Sequence, residues 1–271
     1  MAKIHEEDRH AYFEKVKVYI TMTKALLKTE ADLLAQIKKD PFDASMKKLI
    51  LVDEMLNLSS GYMAINGVSM VVLKVKNEEA LNDARKSMYK AVIYLEEIVS
   101  NYIDASFSEY EDKLAQIESF DENQRYKLIR KMGLAIDMLQ LAYGDNSKWR
   151  WTFVELEGRF AAASKNILDL RNAMANSRPD SPYYDSTVYH LRLVKELLSR
   201  AASRYRDKYE LSTQQALDFK TGMLFLGALK RIHIVLAESD DAEEIKKKLA
   251  IWSTKLETDI KKQEEAKKRK Q

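Results

Sequence analysis

Apolar residues recur at steps of three and four along most of this chain, the spacing of helices that bury one face. From Glu6 to Lys38, Phe13, Val16, Ile20, Leu27, Leu34 and Ile37 form one stripe, and Tyr12, Tyr19, Leu26 and Leu33 widen it. Thr23 and Glu30 fall on the same seam, so looser or partly wet packing is expected there. Pro41 ends this helix and Asp43 is placed to cap the next. The second helix, Ala44 to Val75, holds the stretch around which the rest looks arranged: the 19 positions Met55 to Leu73 carry no charge. A run that long approaches a membrane span, but Asn57, Ser59, Ser60, Gly61, Asn66, Gly67 and Ser69 interrupt it, and Asp53, Glu54, Lys74 and Lys76 flank it. A helix enclosed by other helices is the better expectation, with Leu56, Ile65, Val68 and Val72 in the core and Ser59 to Gly61 as its weakest point.

Asn77 followed by Glu78 and Glu79 starts a third helix, whose stripe of Leu81, Ala84, Met88, Val92, Leu95, Val99 and Tyr102 continues through Phe107, Tyr110, Leu114 and Ile117 toward Glu118. Asp121 and Gln124 have capping-box spacing ahead of a fourth helix with Leu128, Met132, Ala135, Leu139 and Tyr143. After the turn Gly144-Asp145-Asn146, a heptad seam runs Trp149, Phe153, Leu156, Phe160, Ala163, Ile167, Leu170 and Met174. The stretch Asn176 to Tyr184 holds two prolines and no helical period, so it reads as the linker. Val188, Leu191, Val194, Leu198, Ala201 and Tyr205 define a sixth helix, Ser186 to Tyr209. Ser212 and Gln215 suggest a second capping box, opening a seventh helix with Phe219, Met223, Leu226, Leu229, Ile232 and Leu236. Its Met223 to Leu229 run is apolar all round, which predicts burial of Leu224 and Leu226 alike. Asp240, Asp241 and Glu243 open an eighth helix with Ile245, Leu249, Trp252, Leu256 and Ile260. The expected fold is all-α: an antiparallel bundle of about eight long helices without a sheet, with the 55–73 stretch central. It forms one domain over 1–271, divisible at the 176–184 loop into five helices (1–177) and three (185–271).

Composition narrows the chemistry. Seven glycines and three prolines in 271 residues suit long helices, and 46% apolar with 32% charged residues is globular. Without cysteine, disulfides, thiolate metal sites and thiol nucleophiles are excluded. Acidic residues stand where a signal peptide would be apolar, so the cytoplasm is expected. Net charge is only +3, and the basic tail from Lys261 lacks interleaved aromatics and an apolar face, which argues against nucleic acid and membrane insertion. A di-iron bundle needs Glu-x-x-His on two helices, and the sole such spacing is Glu7 to His10. Zinc, phosphate-loop, nucleophile-elbow and kinase patterns are missing as well. His233, among Ile232, Ile234 and Val235, reads as a hydrogen-bonded core histidine. No cofactor or metal is expected.

Two features remain for recognition. Arg192, Glu196, Arg200, Arg204 and Lys208 fall at i, i+4 steps on one helix face, where four cations suit a phosphate or an acidic partner, or pair with acids of a neighbouring helix. Trp149 and Trp151 lie about 200° apart around a helix, so one of them faces away from that core. The leading expectation is a non-enzymatic cytoplasmic scaffold or adaptor that contacts other proteins, with Arg192, Arg200, Arg204, Lys208 and Trp151 as contact residues; a homo-oligomer is compatible with it. Two alternatives stand beside it. One is a module for phosphorylated or acidic ligands on the basic face. The other is a ligand carrier or enzyme with a cavity lined by Asn57, Asn66 and Ser69.

Overall fold

Helix-forming residues spaced to leave an apolar face on almost every segment produce an almost wholly helical chain. The computed structural model describes residues 5–144 and 147–268, without the side chains of 266 and 267. Asp145 and Asn146 of the expected turn, and residues 269–271 of the basic tail, lie outside the described residues. Among those described, 82% are helical and none is in a strand. The α-helices are α1 (Glu6–Lys39), α2 (Ala44–Val72), α3 (Glu78–Val99), α4 (Glu111–Ala115), α5 (Glu122–Tyr143), α6 (Arg150–Asn166), α7 (Ala173–Asn176), α8 (Tyr184–Lys208), α9 (Ala216–Val235) and α10 (Ser239–Lys268). All but α4 and α7 are long, matching the expected eight. None of the described helices is long and apolar enough to cross a membrane.

The chain forms two compact units, Met1–Ser100 with Asp112–Arg150, and Asn101–Glu111 with Trp151–Gln271. The 176–184 loop lies inside the second. In the first unit α1 packs on α2, α2 on α3, and α5 on both α2 and α3. The charge-free stretch is continuous helix through Ser59 to Gly61. A Cβ on Gly61 would stand 2.6 Å from Met22 Cε and 2.9 Å from Thr23 Cγ2, so the glycine sits there to let α1 approach. Enclosure is incomplete: Leu56 and Ile65 are buried, Val68 and Val72 only partly, and Met70 and Val71 are exposed. Three of the stretch's polar side chains are bonded inside the unit. Asn66 Oδ1 accepts the Asn77 N–H at 2.9 Å, Ser69 Oγ donates to Val75 O at 2.8 Å, and Asn57 Oδ1 accepts from Lys131 Nζ at 3.0 Å. With those bonds made, the three residues give no support to a lined cavity.

Several local expectations are corrected. Two of the five predicted caps form as read: Asn77 accepts from the Ala80 N–H, and Asp121 and Gln124 make both bonds of the capping box. Asp240 and Asp241 lie in the first turn of α10. Asp43 instead takes left-handed backbone (φ 55) and makes no side-chain cap. Ser212 does not open α9; α8 runs on into a π-helical turn, Tyr209–Thr213, and Gln215 precedes α9 without a side-chain cap. The third helix stops at Val99, where Ser100 adopts φ 99, and 101–111 enters the second unit's core through buried Tyr110, leaving Tyr102 exposed. The heptad seam of the fifth helix breaks after Asn166, because the Asp169 carboxylate captures the N–H groups of Arg171 and Asn172. Leu168 and Leu170 stay buried with Ala173 and Leu191, and Met174 turns outward.

In the second unit α8 packs on α9 and α9 on α10, with Phe219, Phe225, Leu226 and Trp252 buried between them. Leu224, expected in the core, is 48% exposed, since a helix packed on two neighbours still keeps one open side.

Candidate functional site

The cation row lies on α8, and its members meet different fates. Arg204 Nε donates to Oε2 of buried Glu157 on α6 at 3.1 Å, and Lys208 Nζ donates to Oδ1 of buried Asp218 on α9 at 2.8 Å. These cations neutralise acids that could not otherwise be buried. Arg200 is half-buried. Arg192 is exposed, meets no carboxylate among the described residues, and stands 6.0 Å from the Tyr189 ring centroid. Trp151 is half-buried rather than open, and Trp149 lies beneath Arg85, whose guanidinium is 4.1 Å from its ring centroid.

Arg192 lines a groove of about 340 Å³ together with Met174, Val188, Leu191 and Leu236, with Ser177, Lys195 and Glu238 as further polar residues. The end of α9 builds part of that groove. Ala237 has left-handed backbone (φ 56); its N–H donates to Ile234 O at 3.1 Å and the Glu238 N–H to His233 O at 2.8 Å, a Schellman closure. The turn brings the Glu238 carboxylate to Lys195 Nζ at 2.8 and 3.0 Å and to His233 Nδ1 at 2.6 Å. Burial works against ionisation of Glu238, but the bonds from Lys195 and His233 outweigh it and hold the carboxyl below its ordinary range. Asp241 Oδ2, 3.9 Å from His233 Nδ1, completes a trio of metal-ligand types. The trio does not suit a cation, because the Lys195 ammonium already occupies the carboxylate a metal would need. The groove can instead receive a small amphipathic anion, apolar side inward and charge on the Arg192 fork.

A second polar cluster in this unit centres on a sealed lysine. Lys165 is 3% exposed, and burial pushes its amine down to about 8. Its Nζ donates to Tyr110 Oη at 3.3 Å, and burial pushes that hydroxyl up. Nearby, Arg231 Nε donates to Asp104 Oδ1 at 3.0 Å and Asn166 Nδ2 to Tyr102 O at 3.0 Å. An amine near neutrality is a nucleophile in principle, but this one is held from solvent and works as a structural tie.

In the first unit the decisive surface is α1. Its predicted stripe divides into two rows. Val16, Thr23 and Glu30 are buried, Glu30 taking Lys90 Nζ at 2.8 Å and Tyr94 Oη at 2.7 Å. Phe13, Ile20, Leu27 and Leu34, each seven residues apart, are 62%, 36%, 40% and 39% exposed, correcting their assignment to the core. One row lies against the unit and its neighbour lies open, because the stripe is wider than a single packing contact.

Residues 8–260 match the profile of the TP0443 family. The chain belongs to the TP0443 family. The match takes in every surface described above, the α1 row and the α8 groove alike. No curated protein and no solved structure matches the chain. In this TP0443 member, sequence reasoning found Arg192 but missed the groove behind it, whose Glu238 carries no signal beyond lying five residues after His233. The α1 row did have a signal, its seven-residue spacing; which of two adjacent rows would stay open had none.

Proposed function

We propose that the chain is a non-enzymatic, cytoplasmic helical scaffold or adaptor that works through protein–protein contacts, with α1 as its docking element. The observation that carries this reading is the exposed row Phe13, Ile20, Leu27 and Leu34. Four large apolar side chains in line over 21 residues, about 32 Å of helix, form a seam of the kind another helix fills. The test replaces Leu27 with Asp, confirms unchanged helicity by circular dichroism, and compares stable partners captured from the native cell by both forms. Loss of a partner with the fold intact supports the adaptor reading; an identical partner set ends it.

A second reading, a module for phosphorylated or acidic ligands, is favoured by one observation: Arg192 meets no carboxylate and stands over an apolar groove. Arg192→Glu should then abolish ligand binding without loss of stability, and binding by the native chain should weaken as salt rises.

A further inference from the structure

The charges beside the α1 row identify what fits it. Phe13, Ile20 and Leu34 are each followed four residues later, hence on the same face, by a lysine: Lys17, Lys24 and Lys38. All three are exposed and meet no carboxylate among the described residues. Lys28 is exposed beside Leu27. From Lys15 to Lys39 the helix has only Glu30 and Asp32 as acids, and Glu30 is buried on Lys90 and Tyr94. An apolar row with an unpaired cationic border is thus presented along most of α1.

We infer that the occupant of this row is an amphipathic helix of a partner protein, apolar at heptad spacing and bordered by Glu or Asp that face Lys17, Lys24 and Lys38. The inference rests on the adaptor reading of α1 and adds the chemistry of the partner. Two observations choose this occupant. A second copy packed antiparallel would set its own lysines against these, and like charges in opposition are destabilising. A membrane surface takes up a broad apolar face, whereas this row is one residue wide, with polar Glu14, Thr21 and Lys28 on its open side and Val16, Thr23 and Glu30 buried on the other. A narrow apolar row with one charged border is the geometry of a helix–helix seam, in which border charges select the partner.

The experiment measures binding of the full chain to two synthetic four-heptad helices with the same Leu seam, one bordered by Glu and the other by Lys. Sedimentation of the chain alone and flotation with phosphatidylcholine–phosphatidylserine vesicles are run beside it. The Glu-bordered helix should bind at least about tenfold tighter than the Lys-bordered one. Lys17→Glu/Lys24→Glu should reverse that preference, and Leu27→Asp should abolish binding of both. Phe13→Asp, at the most exposed position of the row, serves if Leu27→Asp proves misfolded. Equal binding of the two helices, or no effect of the charge reversal, overturns the acidic partner while leaving the adaptor reading in place. Self-association lost in Leu27→Asp overturns it in favour of a second copy, and vesicle binding without peptide binding in favour of a lipid surface. Loss of no native partner in Leu27→Asp removes the adaptor reading itself.

Discussion

At Gly67 a Cβ would meet no heavy atom within 4 Å, whereas at Gly222 it would come within 2.9 Å of the Ala202 carbonyl oxygen. Both glycines are helical, so Gly67→Ala should stabilise by about 0.5–1 kcal/mol through helix propensity, and Gly222→Ala should destabilise by about 1–3 kcal/mol through forced separation of α8 and α9. Urea melts of the two variants check both signs. Ala237 poses the converse case. Its left-handed backbone costs an L-residue about 1–2 kcal/mol, more than the entropy a glycine would add, so Ala237→Gly should raise stability by about 0.5–1 kcal/mol with the Glu238 contacts kept. Lys165 gives a pH dependence. Its amine titrates near 8 when folded and at 10.5 ordinarily, so between those values the unfolded chain holds the extra proton. Stability should therefore rise as pH is raised from about 8 toward 10, and Lys165→Met should flatten that slope. Above about pH 10 the trend should reverse, because burial keeps Tyr110 protonated in the folded chain while free tyrosines ionise. At this scale the sequence was legible wherever a bond is local. Asn77 and Asp121 cap three residues ahead, as their spacing implies, but Asp43 fails because its backbone, not its side chain, makes the turn.

Whole helices show where periodicity stops informing. The steps of three and four located eight long helices and their apolar faces, because those faces must be buried for a helix to persist. They could not say which of two adjacent rows on α1 meets α2, since Val16 and Phe13 are both apolar and only the position of a neighbour distinguishes them. The outcome can be read in stability. Leu27→Asp should cost no more than about 1 kcal/mol, while Glu30→Ala, which leaves the Tyr94 hydroxyl without its carboxylate, should cost about 1–3 kcal/mol. The same contrast divides the α8 row. Reversal at Arg192 should leave thermal stability unchanged; Arg204→Glu, which sets a second carboxylate against buried Glu157, should lower it by about 2–4 kcal/mol. In the sequence these arginines were equivalent members of an i, i+4 series, and only the acid across from Arg204, 47 residues away, separates them.

For the molecule as a whole, the least legible feature is the path between units: the chain leaves the first at Ser100, returns at Asp112 and leaves again after Arg150. Apolar spacing ran smoothly through this region, because spacing records that Tyr110 and Leu114 need burial and is silent on whose core receives them. Tyr110, Asp104 and Glu111 are held by Lys165, Arg231 and Arg171 of the second unit. The fragment 151–271 should therefore unfold at lower urea than the same unit in the intact chain, as monitored by the fluorescence of Trp252. Interleaving also imposes a schedule on biosynthesis. Asp104 leaves the ribosome 127 residues ahead of Arg231, about 6–25 s at ordinary elongation speeds. Through that interval the first unit can close around 112–150 as soon as they emerge, while 101–111 waits as a loop with an unburied tyrosine and an unpaired aspartate. Nascent chains arrested before Arg231 should be cut there by protease, and chains arrested well beyond it should be protected, so the age of the chain, read from this one segment, decides when the second unit becomes safe.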